Sequence, residues 1–296
     1  MSSGEPATST TDVPSAAVRL AVGFRALAPR AYRSVGGREL KLDLHVPGGP
    51  GGPWPVFVFF HGGGWIVGSR ESVSLHLLPW MERGWATVNV EYRLAREARA
   101  PAAVWDARHA VRWVFEHAGE HGLDPERVVL GGFSSGGHLA LIAALSGELP
   151  SEGSEAAAVA EQRQGDVRPP VAAVVSWFGI SDVAVLVEGA RPRPFARHWL
   201  GARPDFLEVA HALSPVELVG PDTPPILSVH GDQDPVVPFA QSERLHQALD
   251  RAGVPNRLHV IAGGGHGDWD AETWGRAYAA VFEFVEGRRA VGEMPA

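Results

Sequence analysis

Apolar and polar residues alternate through Leu40-Lys41-Leu42-Asp43-Leu44-His45-Val46, the pattern of a strand with one buried face. The Gly/Pro cluster Pro47–Pro55 then marks a turn. Further on, the short runs Val56–Phe60, Ala86–Val90, Arg127–Leu130, Val171–Ser176, Ile226–His230 and Arg257–Ile261 are mostly apolar. Such runs fit strands covered on both faces of a parallel sheet. Helical segments separate them. Ser72–Arg83 is one, and Pro101–His121 is a second, with Val104, Ala107, Val111, Val114 and Phe115 at helical spacing. The Ala/Leu-rich run Leu139–Leu145 follows the fourth strand, after a turn at Asp124-Pro125 leads into that strand. Pro238–Arg251 and Glu272–Glu286 complete the series. Strands alternating with helices predict an α/β fold with a doubly wound, mostly parallel sheet.

Three stretches break this rhythm. Met1–Pro14 is rich in Ser, Thr, Gly and Pro and predicts a disordered tail. Val18, Leu20, Val22, Phe24 and Leu27 predict a short helix lying on the domain, so residues 1–37 form a tail and short helix. Ser146–Pro170 reads as a surface excursion. Ser181–Gly220 has many Pro and Arg residues, scattered aromatics and no clean period, and predicts short helices capping one end of the sheet. Residues 38–290 therefore form one domain with a cap at about 181–220, without internal repeats.

Composition narrows the function. The chain has 296 residues, 45% hydrophobic and 20% charged, enough apolar mass for a sizeable core. A net charge of -8 supplies no basic field for nucleic acid or an anionic membrane. With no cysteine, disulfides, thiolate metal sites and a Cys nucleophile are excluded. No apolar run approaches the ~20 residues of a membrane span. The N-terminal residues lack the basic start and apolar core of a secretory signal, so a cytoplasmic location is expected.

Reactive chemistry gathers at the carboxyl ends of the predicted strands, where open parallel sheets bind ligands. Gly132-Phe133-Ser134-Ser135-Gly136 fits G-x-S-x-G, a tight strand-to-helix turn that exposes a serine hydroxyl at a helix N-terminus. His230-Gly231-Asp232-Gln233-Asp234 and Gly263-Gly264-Gly265-His266-Gly267 follow two later strands. Serine is a weak nucleophile at neutral pH. It needs a base to take its proton and an acid to orient that base. His266 is the expected base. Asp234 is the expected acid, with Asp232 read as a turn residue and Asp268 too near His266 along the chain. His61-Gly62-Gly63-Gly64-Trp65 ends the first buried strand. Gly63 and Gly64, with the N–H of Ser135, are the expected donors of an oxyanion hole. Neither a phosphate loop nor a dinucleotide fingerprint is present. No metal-ligand spacing occurs, so neither metal nor cofactor is expected. Trp65 is read as a wedge under the glycine loop, or else as pocket lining. Trp177 and Phe178 divide between pocket and core. Phe133 and Trp177 join Trp65 as candidate pocket residues. His61, His138 and His230 are read as structural.

These residues resemble α/β-hydrolase-fold carboxylesterases related to hormone-sensitive lipase, and more narrowly the bacterial acetyl- and feruloyl-esterase-like branch. The resemblance runs through His61–Trp65, Val90–Leu94 with Pro101 and Asp106, and Gly132–Ala140. It continues through Trp177–Gly179, Ser181-Asp182, Ser214-Pro215, His230–Pro238 and Gly264–Gly267. It implies Ser134 as nucleophile, Asp234 as acid and His266 as base. The implied substrate is a small ester, cleaved through an acyl-enzyme. Phe133 stands where the hormone-sensitive lipase group often carries Asp or Glu. Two alternatives remain at this point: a kynurenine-formamidase-like amide hydrolase with the same triad, and a non-catalytic binding protein of the same fold.

Overall fold

The structure, a computed structural model, describes residues 23–147, 169–188 and 192–287. The strands are β1 (Phe24–Ala26), β2 (Arg30–Val35), β3 (Arg38–Pro47), β4 (Trp54–Phe60), β5 (Ala86–Val90), β6 (Leu123–Phe133), β7 (Ala173–Trp177), β8 (Ile226–Gly231) and β9 (Asn256–Ile261). They form one sheet in the order β1-β3-β5-β4-β6-β7-β8-β9, with β2 also paired to β3. From β5 to β9 every pairing is parallel, whereas β1, β2 and β5 pair antiparallel with β3. The helices are α1 (Leu78–Glu82), α2 (Ala102–Glu116), α3 (Ala118–His121), α4 (Ser135–Leu145), α5 (Val183–Glu188), α6 (Pro194–Leu200), α7 (Phe206–Ala212), α8 (Ala240–Arg251) and α9 (Ala271–Glu286).

Period-two alternation along the central strands sorts the core into two layers. Val56, Val58 and Phe60 of β4 join the cluster that holds the apolar residues of α2, α4 and α8. Phe57 and Phe59 face the other cluster, with α1 and α9. There Phe57 stacks on Trp80 at 3.7 Å between ring centroids.

Several elements differ from their sequence pattern. The segment read as a helix over Ser72–Arg83 starts as a 3₁₀ turn, Glu71–Leu77, before α1. The long helix breaks at His117 between α2 and α3. The Asp124-Pro125 turn lies within β6, where the pairing steps from Trp54↔Leu123 to Val56↔Val128. The short helix expected over Val18–Leu27 is corrected where it is described. Phe24–Ala26 is a strand paired with His45–Pro47. The N–H and C=O groups along the edge of β3 take partners from both β1 and β2, and edge pairing overrides a weak apolar pattern. The sheet thus begins ahead of residue 38. Val18, Leu20, Val22, the Met1–Pro14 tail and residues 148–168 of the expected excursion lie outside the described residues. Among the described residues, no helix is long and apolar enough to cross a membrane.

The cap comprises α5, α6, α7 and a 3₁₀ turn at Pro215–Leu218. Its first residues are tied to α8. The Ser181 and Asp182 N–H groups donate to Gln241 Oε1 at 2.9 and 2.7 Å, and Ser181 Oγ donates to Gln241 O at 2.6 Å. Its last residues return through Ser214, whose Oγ accepts from Val183 N at 2.8 Å and donates to Ala210 O at 2.7 Å. His138 of α4 ties that helix to the end of the cap. Its Nε2 faces Leu213 O at 2.8 Å, so that nitrogen carries the proton.

A buried ion cluster ties β2, α2 and the segment after β5. Asp106, with no exposed surface, accepts from Arg93 Nε at 2.8 Å, Arg93 Nη2 at 2.9 Å and the Arg93 N–H at 3.0 Å, and also pairs with Arg33. Removing the anion strands two nearly buried guanidinium groups. Asp106→Ala should therefore cost about 3–5 kcal/mol, read as a lowered midpoint in urea unfolding. A loss below about 1 kcal/mol would show the cluster to be marginal. Burial also pulls the His138 imidazole down to about 4. Its neutral form is favoured in the folded state, so stability is complete above the unfolded value near 6.5 and falls as pH drops from there toward about 4. His138→Gln should flatten that decline by up to about 3 kcal/mol, measured by unfolding at stepped pH. An unchanged slope would assign the decline to other buried groups, such as His61 and His246.

Candidate active site

β6 ends in the turn that presents Ser134. Its backbone sits at φ 53° and ψ -117°, a conformation costly for a side-chain-bearing residue. The glycines on either side explain how it is tolerated. A Cβ on Gly132 would lie 2.4 Å from the Gly136 carbonyl, and one on Gly136 would lie 2.0 Å from Phe60 O. The end of β4 therefore runs directly against the turn. The Ser134 N–H donates to Trp177 O at 2.9 Å, which carries the β6–β7 ladder one residue further. Ser134 opens α4, so its hydroxyl meets the positive end of the helix dipole.

Asp234 and His266 come from the loops after β8 and β9. His266 Nδ1 lies 2.6 Å from Asp234 Oδ2. The Asp234 side chain has no exposed surface, and that of His266 is 22% exposed. Asp234 Oδ1 accepts from the N–H groups of Val236 at 2.8 Å and Val237 at 2.9 Å. Burial works against ionisation of Asp234. The hydrogen bonds from His230 and His266, the charge of His266 and the Val237 N–H outweigh it and hold the carboxyl well below the usual carboxylate range. Asp232 does other work. Its Oδ1 accepts from Gly263 N at 2.7 Å, tying the acid loop to the loop that carries His266.

Ser134 and His266 line one cavity of about 490 Å³ together with Gly62, Gly63 and Gly267. Its remaining walls are Ser72, Val73, His76, Phe133, Phe178 and Trp274. Gly63 and Gly64 both have positive φ, 118° and 60°. Gly63 lies on the cavity wall, whereas Gly64 faces the cap, where an added Cβ would meet Phe195 at 3.1 Å. Ser135 directly follows Ser134 and is fully buried. His61 lies behind the glycine loop, stacked on Tyr92 at 4.2 Å, and Tyr92 Oη donates to His61 O at 2.9 Å.

The expected pocket residues divide. Phe133 lines the cavity. Trp65 does not: it is fully buried, stacks on Trp199 of the cap at 4.0 Å, and wedges the loop from below. Trp177 does not either, because it shares the β7 face of Ala173 and Val175 and packs on Tyr278. Phe178, at φ 39°, turns out of the strand and packs on the His266 ring at 4.7 Å. His76 and Trp274 were missed by sequence reasoning. They come from the 3₁₀ turn and from α9, and meet Phe133 at 4.6 and 5.8 Å. Burial lowers the pKa of His76, which keeps its ring neutral near pH 7. A larger cavity, about 660 Å³ around Trp54, Trp85 and Arg127, opens at the amino ends of the strands and holds none of the triad candidates.

A match to the BD-FAE family covers residues 42–249. Esterase LipQ of Mycobacterium tuberculosis is 31% identical over 243 residues, which is 76% of this chain and 55% of that protein. A probable isoprenylcysteine alpha-carbonyl methylesterase of Oryza sativa subsp. japonica is 28% identical over 77% of this chain and 55% of its own. The chain thus spans about half the length of the curated relatives it matches. Among solved structures, propionate-bound esterase 2 of Thermogutta terrifontis superposes with a TM-score of 0.70 at 27% identity, over 88% of this chain and 93% of that one. The doubly wound sheet, its flanking helices and the matched span agree, and the chain belongs to the BD-FAE family of the α/β-hydrolase fold.

Proposed function

We propose that this protein is a serine carboxylesterase that hydrolyses short-chain carboxylic esters through an acyl-enzyme. The observation that carries the reading is the 2.6 Å Asp234–His266 bond, opening on the cavity that also holds Ser134. In the proposed cycle, Ser134 Oγ attacks the ester carbonyl carbon as His266 Nε2 takes its proton. Asp234 holds the Nδ1–H and the positive charge that forms on the ring. N–H groups of the glycine loop and of Ser135 receive the oxyanion. The tetrahedral species then collapses, the C–O bond to the alcohol breaks, and His266 returns its proton to the departing oxygen. Water, deprotonated by the same imidazole, attacks the acyl-enzyme and releases the acid.

A small-molecule ester in the cavity of about 490 Å³ is the proposed partner. Phe133, Phe178 and Trp274 wall that cavity with rigid rings, which favours short acyl chains. The name LipQ carries as an esterase and the propionate bound to the Thermogutta enzyme support the same reading.

Turnover of p-nitrophenyl esters from acetate to laurate, beside N-formylkynurenine, tests the substrate class. The rate should fall steeply after butyrate. Turnover confined to the formamide would replace the ester reading with a formamidase. Ser134→Ala should fold normally and lose all but the small rate that oxyanion binding alone supports. Asp234→Asn should lower kcat by about 10⁴. Asp232→Asn, which weakens only the bond to Gly263, should cost under roughly tenfold. If the Asp232 change is the crippling one, the acid is misassigned.

A further inference from the structure

A carboxylate offers about four lone-pair positions. The protein fills those of Asp234. Oδ1 takes the Val236 and Val237 N–H groups, and Oδ2 takes two imidazoles, His266 at 2.6 Å and His230 at 3.2 Å. The second imidazole is not part of a serine–histidine–acid relay. His230 is the penultimate residue of β8 and has no exposed surface. Its Nε2 faces two acceptors, Asp234 Oδ2 and, at 3.0 Å, Val237 O. A nitrogen facing two acceptors carries the proton. Nδ1 lies 2.7 Å from Ser242 Oγ on α8, whose hydroxyl donates to it in this tautomer. Phe239 closes the ring's edge at 5.6 Å. Ser242, His230, Asp234 and His266 thus form one continuous hydrogen-bonded chain.

We infer that His230 is a positioning residue acting through Asp234, its Nε2–H occupying the carboxylate oxygen that also binds His266. The inference rests on Asp234 serving as the triad acid. When His266 has taken the Ser134 proton, its Nδ1–H points at Oδ2. A donor already on that oxygen lowers its affinity for the proton. The proton then stays on His266, the carboxylate stays charged, and the imidazolium keeps the Nε2 proton it must return to the leaving alcohol. Ser242 completes the device by fixing the His230 ring. Among the described residues, the titratable groups that bear on the Asp234 carboxyl are His230 and His266. Ser242, Val237 O and Phe239, which face His230, do not titrate in the working range.

The test compares wild type, His230→Phe, His230→Gln and Ser242→Ala on p-nitrophenyl acetate between about pH 5 and 9, with a thermal melt of each. His230→Phe should lower kcat roughly tenfold, a small part of the ~10⁴ attached to a triad acid, with KM nearly unchanged. The acid limb of kcat/KM should move to higher pH, because a carboxylate relieved of one donor holds the imidazolium more tightly. His230→Gln, which keeps an N–H donor, should restore most of the rate. Ser242→Ala should move the limb the same way by less. The low-field proton resonance of the His266–Asp234 bond should also shift in His230→Gln and Ser242→Ala, whatever the turnover. If His230→Phe fails to fold, these two variants decide. Unchanged kcat, acid limb and resonance, with only the melting temperature lowered, would make His230 purely structural and overturn the inference. Wild type inactive on all esters would sink the esterase reading instead, and the resonance would still report whether His230 acts on Asp234.

Discussion

Ser134 holds its backbone at φ 53° only because the chain on both sides gives it room. Strain of this kind costs on the order of 1–3 kcal/mol and persists where the surroundings over-determine it. Here they do. β4, β6 and β7 meet at the turn, and Gly132 and Gly136 let the Phe60 carbonyl approach to a distance that no side chain would survive. Every residue of α4 is buried, so the helix cannot shift to relax the turn. The position of Ser134 is therefore a consequence of the packing of the sheet's centre, and the cost is spread over the whole core.

Asp234 and His266 are fixed against each other rather than against Ser134. The loops after β8 and β9 approach so closely that a Cβ on Gly231 would lie 2.2 Å from Gly264 O. Gln233 N donates to Gly264 O at 3.0 Å, and Asp232 accepts from Gly263. The loops that carry Asp234 and His266 are thus tied to each other. Trp65, Ser134 and Phe178 are the non-glycine residues with positive φ among those described; Ser134 and Phe178 directly follow β6 and β7 and line the cavity, whereas Trp65 lies under the glycine loop that follows β4. Strain gathers at the carboxyl edge of the sheet, where the chain must leave the ladder to build a site.

Legibility followed the physics of each signal. The parallel strands were readable because burial on both faces leaves continuous apolar runs. The turn at Ser134 and the loops of Asp234 and His266, which the structure brings together, were readable because each is a short motif at a strand end. β1 and β2 were not, since their pairing is dictated by the free edge of β3, and of β2 only Tyr32 is buried. Trp177 was ambiguous next to Phe178, although period-two alternation from Ala173 through Val175 places it in the core. His76 and Trp274 reach the cavity from elements far apart in sequence, and no local pattern encodes that meeting. Arg93 with Asp106, Ser181-Asp182 and Ser214 belonged to the recognised motifs without a role. The structure gives them one, as anchors of β2 and of the cap.

The proposed relay is graded in its exposure. Asp234 is dry, its oxygens occupied by protein donors, while the His266 side chain keeps 22% of its surface open. In the proposed cycle, burial of Asp234 away from water strengthens its pull on the imidazolium. An equally dry His266 would bar the water that the proposed hydrolytic step requires. The wetter end of the relay faces the cavity and the drier end faces α8. Placing His266 on a loop past the edge of the sheet, rather than on the central strands, is what allows both conditions at once. In the proposed cycle the buried Ser242–His230 chain behind Asp234 keeps the carboxylate charged without solvent, and of the pair only the His266 side chain is exposed.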